Sequence, residues 1–110
     1  MKGTSLGEFE ELVLLSIAIN HDDAYSLSIL EELKQRTGRN ILISSVHKVL
    51  IRLEQKKFLK SHMSNPSAER GGRSKKLYEL TNEGKEVLQT TRELRNNMWS
   101  AAPNLIWEKN

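Results

Sequence analysis

Apolar residues recur at helical spacing over the first half of the chain, and this pattern predicts three helices. Residues 6–20 begin with acidic residues and are then apolar on almost every side, which is typical of a helix buried on several faces. Residues 24–38 carry a narrower apolar face and end at Gly38, a residue type that commonly terminates helices. Residues 45–57 form the most regular helix. Between the last two helices, residues 41–43 either form a short extra strand against a later hairpin or fill an apolar gap.

The third predicted helix has two distinct faces. Its apolar residues fall at positions i, i+3, i+4 and i+7: Val46, Val49, Leu50 and Leu53. The residues on its other sides are basic or polar: His47, Lys48, Arg52, Gln55 and Lys56. Either Ser44 or Ser45 can cap the first turn through its side-chain hydroxyl. The pattern therefore predicts an amphipathic helix that packs through one face and presents a basic, hydrogen-bonding face outward.

After residue 57 the pattern changes to short strands and then to a long helix. Residues 58–65 and 76–80 are joined by a loop that contains a glycine pair, which predicts a hairpin. From Thr81, which can cap it, a helix extends to about Ala102, where Pro103 stops it. Its apolar seam alternates steps of four and three, as in a coiled coil: Val87, Thr91, Leu94, Met98 and Ala101. A helix of about 33 Å is too long for the small preceding domain to cover, so we expect much of the seam to find another partner.

Composition places the chain among soluble single-domain proteins. Its 110 residues are 37% hydrophobic and 28% charged and include no cysteine, which excludes disulfides and thiolate metal sites. No apolar run approaches a membrane span and no signal peptide is visible, so we expect a cytoplasmic protein without a membrane partner. The three histidines share no metal-ligand spacing, and no nucleophile–base or paired-carboxylate arrangement occurs. We therefore expect neither an enzyme nor a cofactor.

Positive charge is concentrated in the middle of the chain, although the net charge is only +3. Residues 1–33 hold one lysine and seven acidic residues, whereas residues 34–76 hold twelve basic and two acidic residues. Residues 77–110 are nearly balanced, with four basic and five acidic residues. So basic a middle third indicates a polyanionic partner, and nucleic acid is the commonest one. The alternative is a solvated face that has no partner.

Four segments of the chain resemble the PadR family of bacterial transcriptional regulators, in its compact form with a single C-terminal helix. They cover roughly residues 6–88 and read LGEFEELVLLSIA, DDAYSLSILEEL, SSVHKVLIRLEQKKFL and ERGGRSKKLYELTNEGK. His47 and Lys48 stand where many members have an aromatic residue and a small hydroxyl residue, and Leu77 replaces a common aromatic residue. The first two departures bear on which bases are read, not on whether DNA is bound.

The resemblance implies a mainly α fold with a small β-hairpin. A winged helix-turn-helix DNA-binding domain would span residues 1–80, and a C-terminal dimerisation helix and tail would span residues 81–110. The third helix would enter the major groove, while the glycine-containing loop would be the wing, where glycine permits close approach to phosphate and basic residues neutralise it. The expected DNA-binding residues are Tyr25, Ser45, His47, Lys48, Arg52, Arg70, Gly71, Gly72, Arg73, Lys75 and Lys76.

Some of these expected contacts have alternatives. Arg52 could pair with a carboxylate of its own domain instead of with DNA. Tyr25 could bind a phosphate or act as a half-buried packing residue. The rival interpretation of the wing is a flexible loop with incidental charge.

The expected function is a homodimeric regulator of transcription that binds double-stranded DNA at an inverted repeat. The seam residues of the long helix would form the dimer interface, and family resemblance alone favours a repressor. Trp99 either only packs the dimer or, with Met98, lines a pocket for a small aromatic effector. The alternative class is a winged-helix module that binds proteins without sequence-specific DNA binding. Joint basic charge on the third helix and the hairpin loop argues against that alternative.

Overall fold

The computed structural model describes residues 5–65 and 74–108. It has a mainly helical fold with one two-stranded hairpin and a long C-terminal helix, so the predicted fold class is confirmed. Its elements, in chain order, are α1 (Glu8–Asn20), α2 (Ser26–Thr37), α3 (Ile43–Gln55), β1 (Leu59–Met63), β2 (Lys76–Leu80) and α4 (Asn82–Ala101). Single 3₁₀ turns lie at His21–Asp23 and Asn104–Ile106.

Local sequence determines where α2 ends, whereas packing determines where α3 begins. Gly38 ends α2 in the left-handed region at φ 69°, and its N–H donates to the Lys34 carbonyl at 2.9 Å, as predicted. The predicted serine cap of α3 is wrong, because α3 begins at Ile43 with Leu42 as its N-cap. The partly buried side chain of Ile43 packs against the core and extends the helix by two residues. Residues 41–43 therefore add no strand, and Ile41 joins Ile43 at the edge of the core.

The core lies where α1, α2 and α3 meet beneath the hairpin. Its largest fully buried side chains come from these three helices: Val13, Leu14, Ile17, Ile29, Val46, Leu50 and Leu53. Burying such a side chain contributes about 1.5–3 kcal/mol relative to leaving it in water. All four apolar positions that the sequence assigned to the inner face of α3 are buried. The opposite face of that helix is consequently fixed toward solvent.

The hairpin is antiparallel, with Leu59 opposite Leu80 and Met63 opposite Lys76. Tyr78 is buried, and its N–H donates to the Ala24 carbonyl at 2.8 Å, which joins β2 to the segment before α2. This bond and the packing of Leu59 fix the base of the hairpin against the helical core.

The long helix α4 begins as the sequence predicts. The hydroxyl of Thr81 accepts a hydrogen bond from the Gly84 N–H at 3.0 Å and donates to the Lys57 carbonyl at 2.6 Å. Gly84 and Val87 are buried against the domain, whereas every residue from 92 to 101 is exposed. Over the ranges 5–65 and 74–108, no helix has the length and apolar character needed to cross a membrane.

Candidate nucleic-acid interface

The outer face of α3 carries the residues predicted to read bases. Ser45, His47, Lys48 and Arg52 are all exposed, on the sides of the helix away from its buried apolar residues. The structure thus brings four predicted site residues onto the one outer surface of α3, and the buried apolar residues on the opposite side hold the helix against the core.

Three further residues share this surface and were not among the predicted contacts. Ser44, Ile51 and Gln55 are exposed at positions i, i+7 and i+11 of α3, close to the centre of its outward side. Ile51 is 58% exposed although it is strongly apolar. The helical spacing could have identified them, because each lies about half a turn from the buried face. An aliphatic side chain in this position suits contact with a thymine methyl group.

Arg52 pairs with a carboxylate of its own domain, the alternative that the sequence left open. Its Nε lies 3.2 Å from Oε2 of Glu10 on α1, and Lys56 Nζ lies 2.8 Å from the same oxygen. The Arg52 side chain remains 54% exposed, so the ion pair does not remove it from the outer surface. No local pattern indicates this pair, because Glu10 lies forty-two positions from Arg52 and only the packing of α1 on α3 brings them together.

The ionisation of Glu10 follows from its surroundings. Burial disfavours the charged form, but a hydrogen bond from Lys56, another from the Gly7 N–H and the charges of Lys56 and Arg52 outweigh it. Together they hold the pKa of the Glu10 carboxyl below its ordinary value. The group is therefore a carboxylate at neutral pH.

The base of the predicted wing is anchored to α2 and α3. Lys75 exchanges two hydrogen bonds with Ser64 across the hairpin, from the Ser64 N–H at 2.7 Å and to its hydroxyl at 2.8 Å. Lys75 Nζ lies 3.8 Å from the centroid of the Tyr25 ring, and Lys76 Nζ lies 3.6 Å from Oε1 of Glu54 on α3. The remaining predicted wing residues, Arg70, Gly71, Gly72 and Arg73, lie outside the described residues.

Tyr25 has a defined structural position between the two predicted DNA-binding elements. It is the N-cap residue of α2, is half-buried, and carries the Lys75 ammonium over its ring. Asp23 Oδ1 lies 3.7 Å from the same ammonium. Tyr25 is thus half-buried and packed against Lys75, and its contact with a phosphate stays a prediction.

The predicted dimer seam divides into a covered and an uncovered part. Val87 is buried in the core of its own chain, so the domain itself covers this seam position, and Thr91 is half-buried. Leu94 and Met98 are 59% and 66% exposed, and Ala101 is exposed as well. The first two turns of α4 pack on the domain through the buried residues Gly84 and Val87. Only the later turns are therefore exposed and able to contact a partner.

Met98 and Trp99 do line one shallow apolar depression, together with Arg95, Ala102 and Ile106. Trp99 is itself stacked on Trp107, with ring centroids 5.5 Å apart and planes inclined by 29°. The tail after Pro103 thus folds back along the outer end of α4, a contact that no local pattern in the sequence indicates. Within residues 5–65 and 74–108, no three His, Cys, Asp or Glu side chains are grouped as metal ligands.

The sequence comparison decides the family. Residues 14–90 match the family described as the transcriptional regulator PadR-like family, and this match covers most of the chain. The chain belongs to the PadR-like family. No curated protein sequence matches it.

Solved structures show the same fold. A PadR family transcription regulator from Clostridium difficile is 29% identical, with a TM-score of 0.70 over 86% of this chain and 94% of that one. A PadR-like transcriptional regulator from Bacillus cereus is 19% identical, with a TM-score of 0.73 over 92% and 93%. The Orc1 protein of Aeropyrum pernix, solved in complex with DNA, is 21% identical, with a TM-score of 0.61 over 86% of this chain and 26% of that one.

The family match has a boundary that matters for the site. It includes α2, α3, the hairpin and the first half of α4. Glu10 lies before it, and Leu94, Met98 and Trp99 lie after it.

Proposed function

We propose that this PadR-like regulator is a cytoplasmic, homodimeric repressor that binds an inverted-repeat operator through α3 of each protomer. The observation that carries the proposal is the division of α3 into a buried apolar face and an exposed polar and basic face. A rigid helix with that outer surface fits the major groove, where side chains can distinguish all four base pairs. Repression, as opposed to activation, is supported by family resemblance.

Each predicted contact has a distinct role in this proposal. Lys48 and Arg52 would donate hydrogen bonds to base edges, with Ser45 and His47 beside them. Lys75, Lys76 and the wing residues would neutralise phosphates, with Tyr25 at their base. The Aeropyrum pernix Orc1 protein, of which 26% shares this fold, was solved in complex with DNA, which supports a place for the fold in DNA-binding proteins.

Dimerisation would set the geometry of the operator. Leu94, Met98 and Ala101 offer an apolar surface on α4 that a second copy can cover. A two-fold axis through that surface gives one α3 per half-site, and half-sites would then be separated by about 34 Å, one turn of DNA, or a multiple of it.

A small aromatic effector is a secondary part of the proposal. The depression beside Met98 and Trp99 is apolar and holds about 300 Å³. A flat ring could stack on Trp99 if the tail carrying Trp107 moved away. Binding there would change operator affinity only if the DNA-bound dimer and the free dimer differ in their affinity for the ligand.

The decisive experiment is selection of bound sequences from a random duplex library, followed by affinity measurements at several salt concentrations. We expect a recovered inverted repeat and a steep fall of affinity with salt. Arg52→Ala should cost about 1–3 kcal/mol on the recovered operator and much less on random duplex. Recovery of no sequence, with affinity indifferent to salt, would instead support a module that binds proteins.

Replacing Lys76 tests the phosphate role separately. Lys76→Ala should lower affinity for operator and random duplex by a similar factor and reduce the log–log salt slope by about 1. Lys85→Ala, an exposed lysine at the start of α4, is the matched control and should change neither quantity.

A further inference from the structure

We propose that Glu10 is a positioning residue for DNA recognition, which orients Arg52 without touching DNA itself. The inference rests on the proposed function, because it assumes that α3 lies in the major groove. Its observational basis is the contact between the two side chains, 3.2 Å from Arg52 Nε to Glu10 Oε2. Glu10 precedes the family match at residues 14–90, so the inference concerns contacts of this chain.

The carboxylate of Glu10 is restrained by its surroundings and can therefore restrain a second side chain that pairs with it. The residue is only 7% exposed and is followed along α1 by Val13 and Leu14, which are fully buried. Its Oε1 accepts a hydrogen bond from the Gly7 N–H at 2.9 Å, which ties the carboxylate to the start of its own helix. The carboxylate therefore cannot follow Arg52 if that side chain moves away.

The second oxygen faces α3 and engages two cations at once. Lys56 donates to Oε2 at 2.8 Å and is the more buried of the two, with its side chain 29% exposed. Arg52 reaches the same oxygen from the outer surface of α3. Lys56 thus neutralises much of the carboxylate, and Arg52 is held at its edge without being withdrawn from solvent.

The carboxylate of Glu10 lies on the Nε side of the Arg52 guanidinium, so the opposite side, with the terminal nitrogens, is left open to DNA. Arginine carries five N–H donors in a rigid planar fork, so a carboxylate on the Nε side leaves the two terminal nitrogens for another ligand. Those two groups can form a bidentate pair with guanine O6 and N7. A long side chain that is already restrained also loses less conformational freedom when it binds.

A positioning role and a merely structural role predict different results for Glu10→Gln. If Glu10 orients Arg52, the variant loses base preference at the Arg52 position, whereas its affinity for random duplex stays the same or rises, because a negative charge near the phosphates is removed. If Glu10 only supports the fold, affinity for both kinds of DNA falls together.

The test is library selection and binding with wild type, Glu10→Gln, Arg52→Ala and the double variant. The base pair assigned to Arg52 is the one whose preference Arg52→Ala abolishes. We expect Glu10→Gln to weaken preference at that base pair about tenfold, at no other position, and to have no further effect in the Arg52→Ala background. Glu8→Gln is the matched control, since Glu8 is an exposed carboxylate of the same helix that binds Arg39 at 2.9 and 2.8 Å.

A second measurement uses the wild-type protein and does not depend on any variant folding. Arg52 Nε–H in the free protein should give a resolved NMR signal that is protected from solvent exchange relative to Arg92, an exposed arginine of α4. Equal exchange at Arg52 and Arg92 would overturn the proposal, as would unchanged base preference in a folded Glu10→Gln variant. A wild-type protein with no base preference at all would instead reject the proposed function, so the two failures are distinguishable.

Discussion

The two halves of α4 belong to one continuous helix but have opposite surroundings. Residues 82–91 dock on the winged-helix domain, with Gly84 and Val87 buried and Leu88 packed at the edge of the core. Residues 92–101 are exposed throughout, including Leu94, Met98 and Trp99. The apolar seam runs through both halves without a break in its spacing.

The contrast shows that one helix serves two purposes: its first half stabilises the fold, and its second half is free to contact a second molecule. Helical periodicity identifies which side of a helix is apolar, but it cannot tell whether the chain itself or a second molecule will cover that side. The burial of individual residues answers this question. The apolar side of the first half is covered by the domain of the same chain, whereas the second half leaves large apolar side chains in water. A contiguous exposed apolar surface of this kind is typical of an interaction site.

Leu94→Asp should have the largest effect, because it places an unpaired charge in the exposed apolar seam of the uncovered half. Burying Leu94 in a dimer would contribute on the order of 1.5–3 kcal/mol per protomer, before the entropy of association is subtracted. We expect the variant to be monomeric with an intact domain, and to lose most of its operator affinity. Sedimentation at several concentrations and thermal unfolding measure the two parts of this expectation.

The control for that experiment is Ser100→Asp, which adds the same charge to another exposed position of the same half. It should leave the dimer intact if the apolar seam forms the interface. A wild-type protein that remains monomeric at tens of micromolar, yet binds an inverted repeat tightly, would contradict the idea that the second half of α4 forms a dimer interface.

Gly84→Ala should damage the first half in a different way. A Cβ at this position would lie 2.2 Å from the carbonyl oxygen of Phe58, a backbone atom that no side-chain rotation can move. We expect the free energy of unfolding to fall by roughly 3 kcal/mol, the upper range for overpacking. Glu86→Ala, an exposed position on the same helix, should change it by less than about 0.5 kcal/mol.

Urea denaturation measures that loss directly. If Gly84→Ala were neutral, the first half of α4 would not be held against the Phe58 backbone, and the comparison between the halves would fail. Dimerisation of any folded Gly84→Ala protein should persist, because its exposed seam is unchanged.

Much of the fold could be predicted because local signals and packing agreed. The i, i+3, i+4 and i+7 spacing identified the inner face of α3. Gly38 ends α2 through a backbone hydrogen bond and Thr81 begins α4 through its side-chain hydroxyl, and both bonds depend only on neighbouring residues. The serine cap of α3 failed for the opposite reason. Burial of Ile43 stabilises two extra helical residues, and that gain outweighs a side-chain cap.

The candidate site was less predictable because its organisation depends on residues distant in sequence. The exposure of Lys48 follows from periodicity, but the pairing of Arg52 with Glu10 requires the packing of α1 on α3. Stacking of Trp107 on Trp99 likewise depends on the path of the chain after Pro103. Val87 was assigned to the dimer seam since sequence spacing gives no measure of how far the domain extends along α4.

Arg95→Ala should have the smallest effect and tests what orients the uncovered half. Arg95 is bonded to Glu11 of α1 at 2.8 Å, and its side chain is 54% exposed, so solvent screens much of the attraction. We expect a loss of only about 0.5–1 kcal/mol in the free energy of unfolding, with Arg92→Ala as the neutral control. Since Arg95 follows Leu94 directly, the two side chains diverge by about 100° around the helix, and the apolar seam remains complete without the ion pair. The variant should therefore still dimerise. Loss of the dimer would mean that the domain, through Glu11, fixes the direction of residues 92–101 before a partner can bind them.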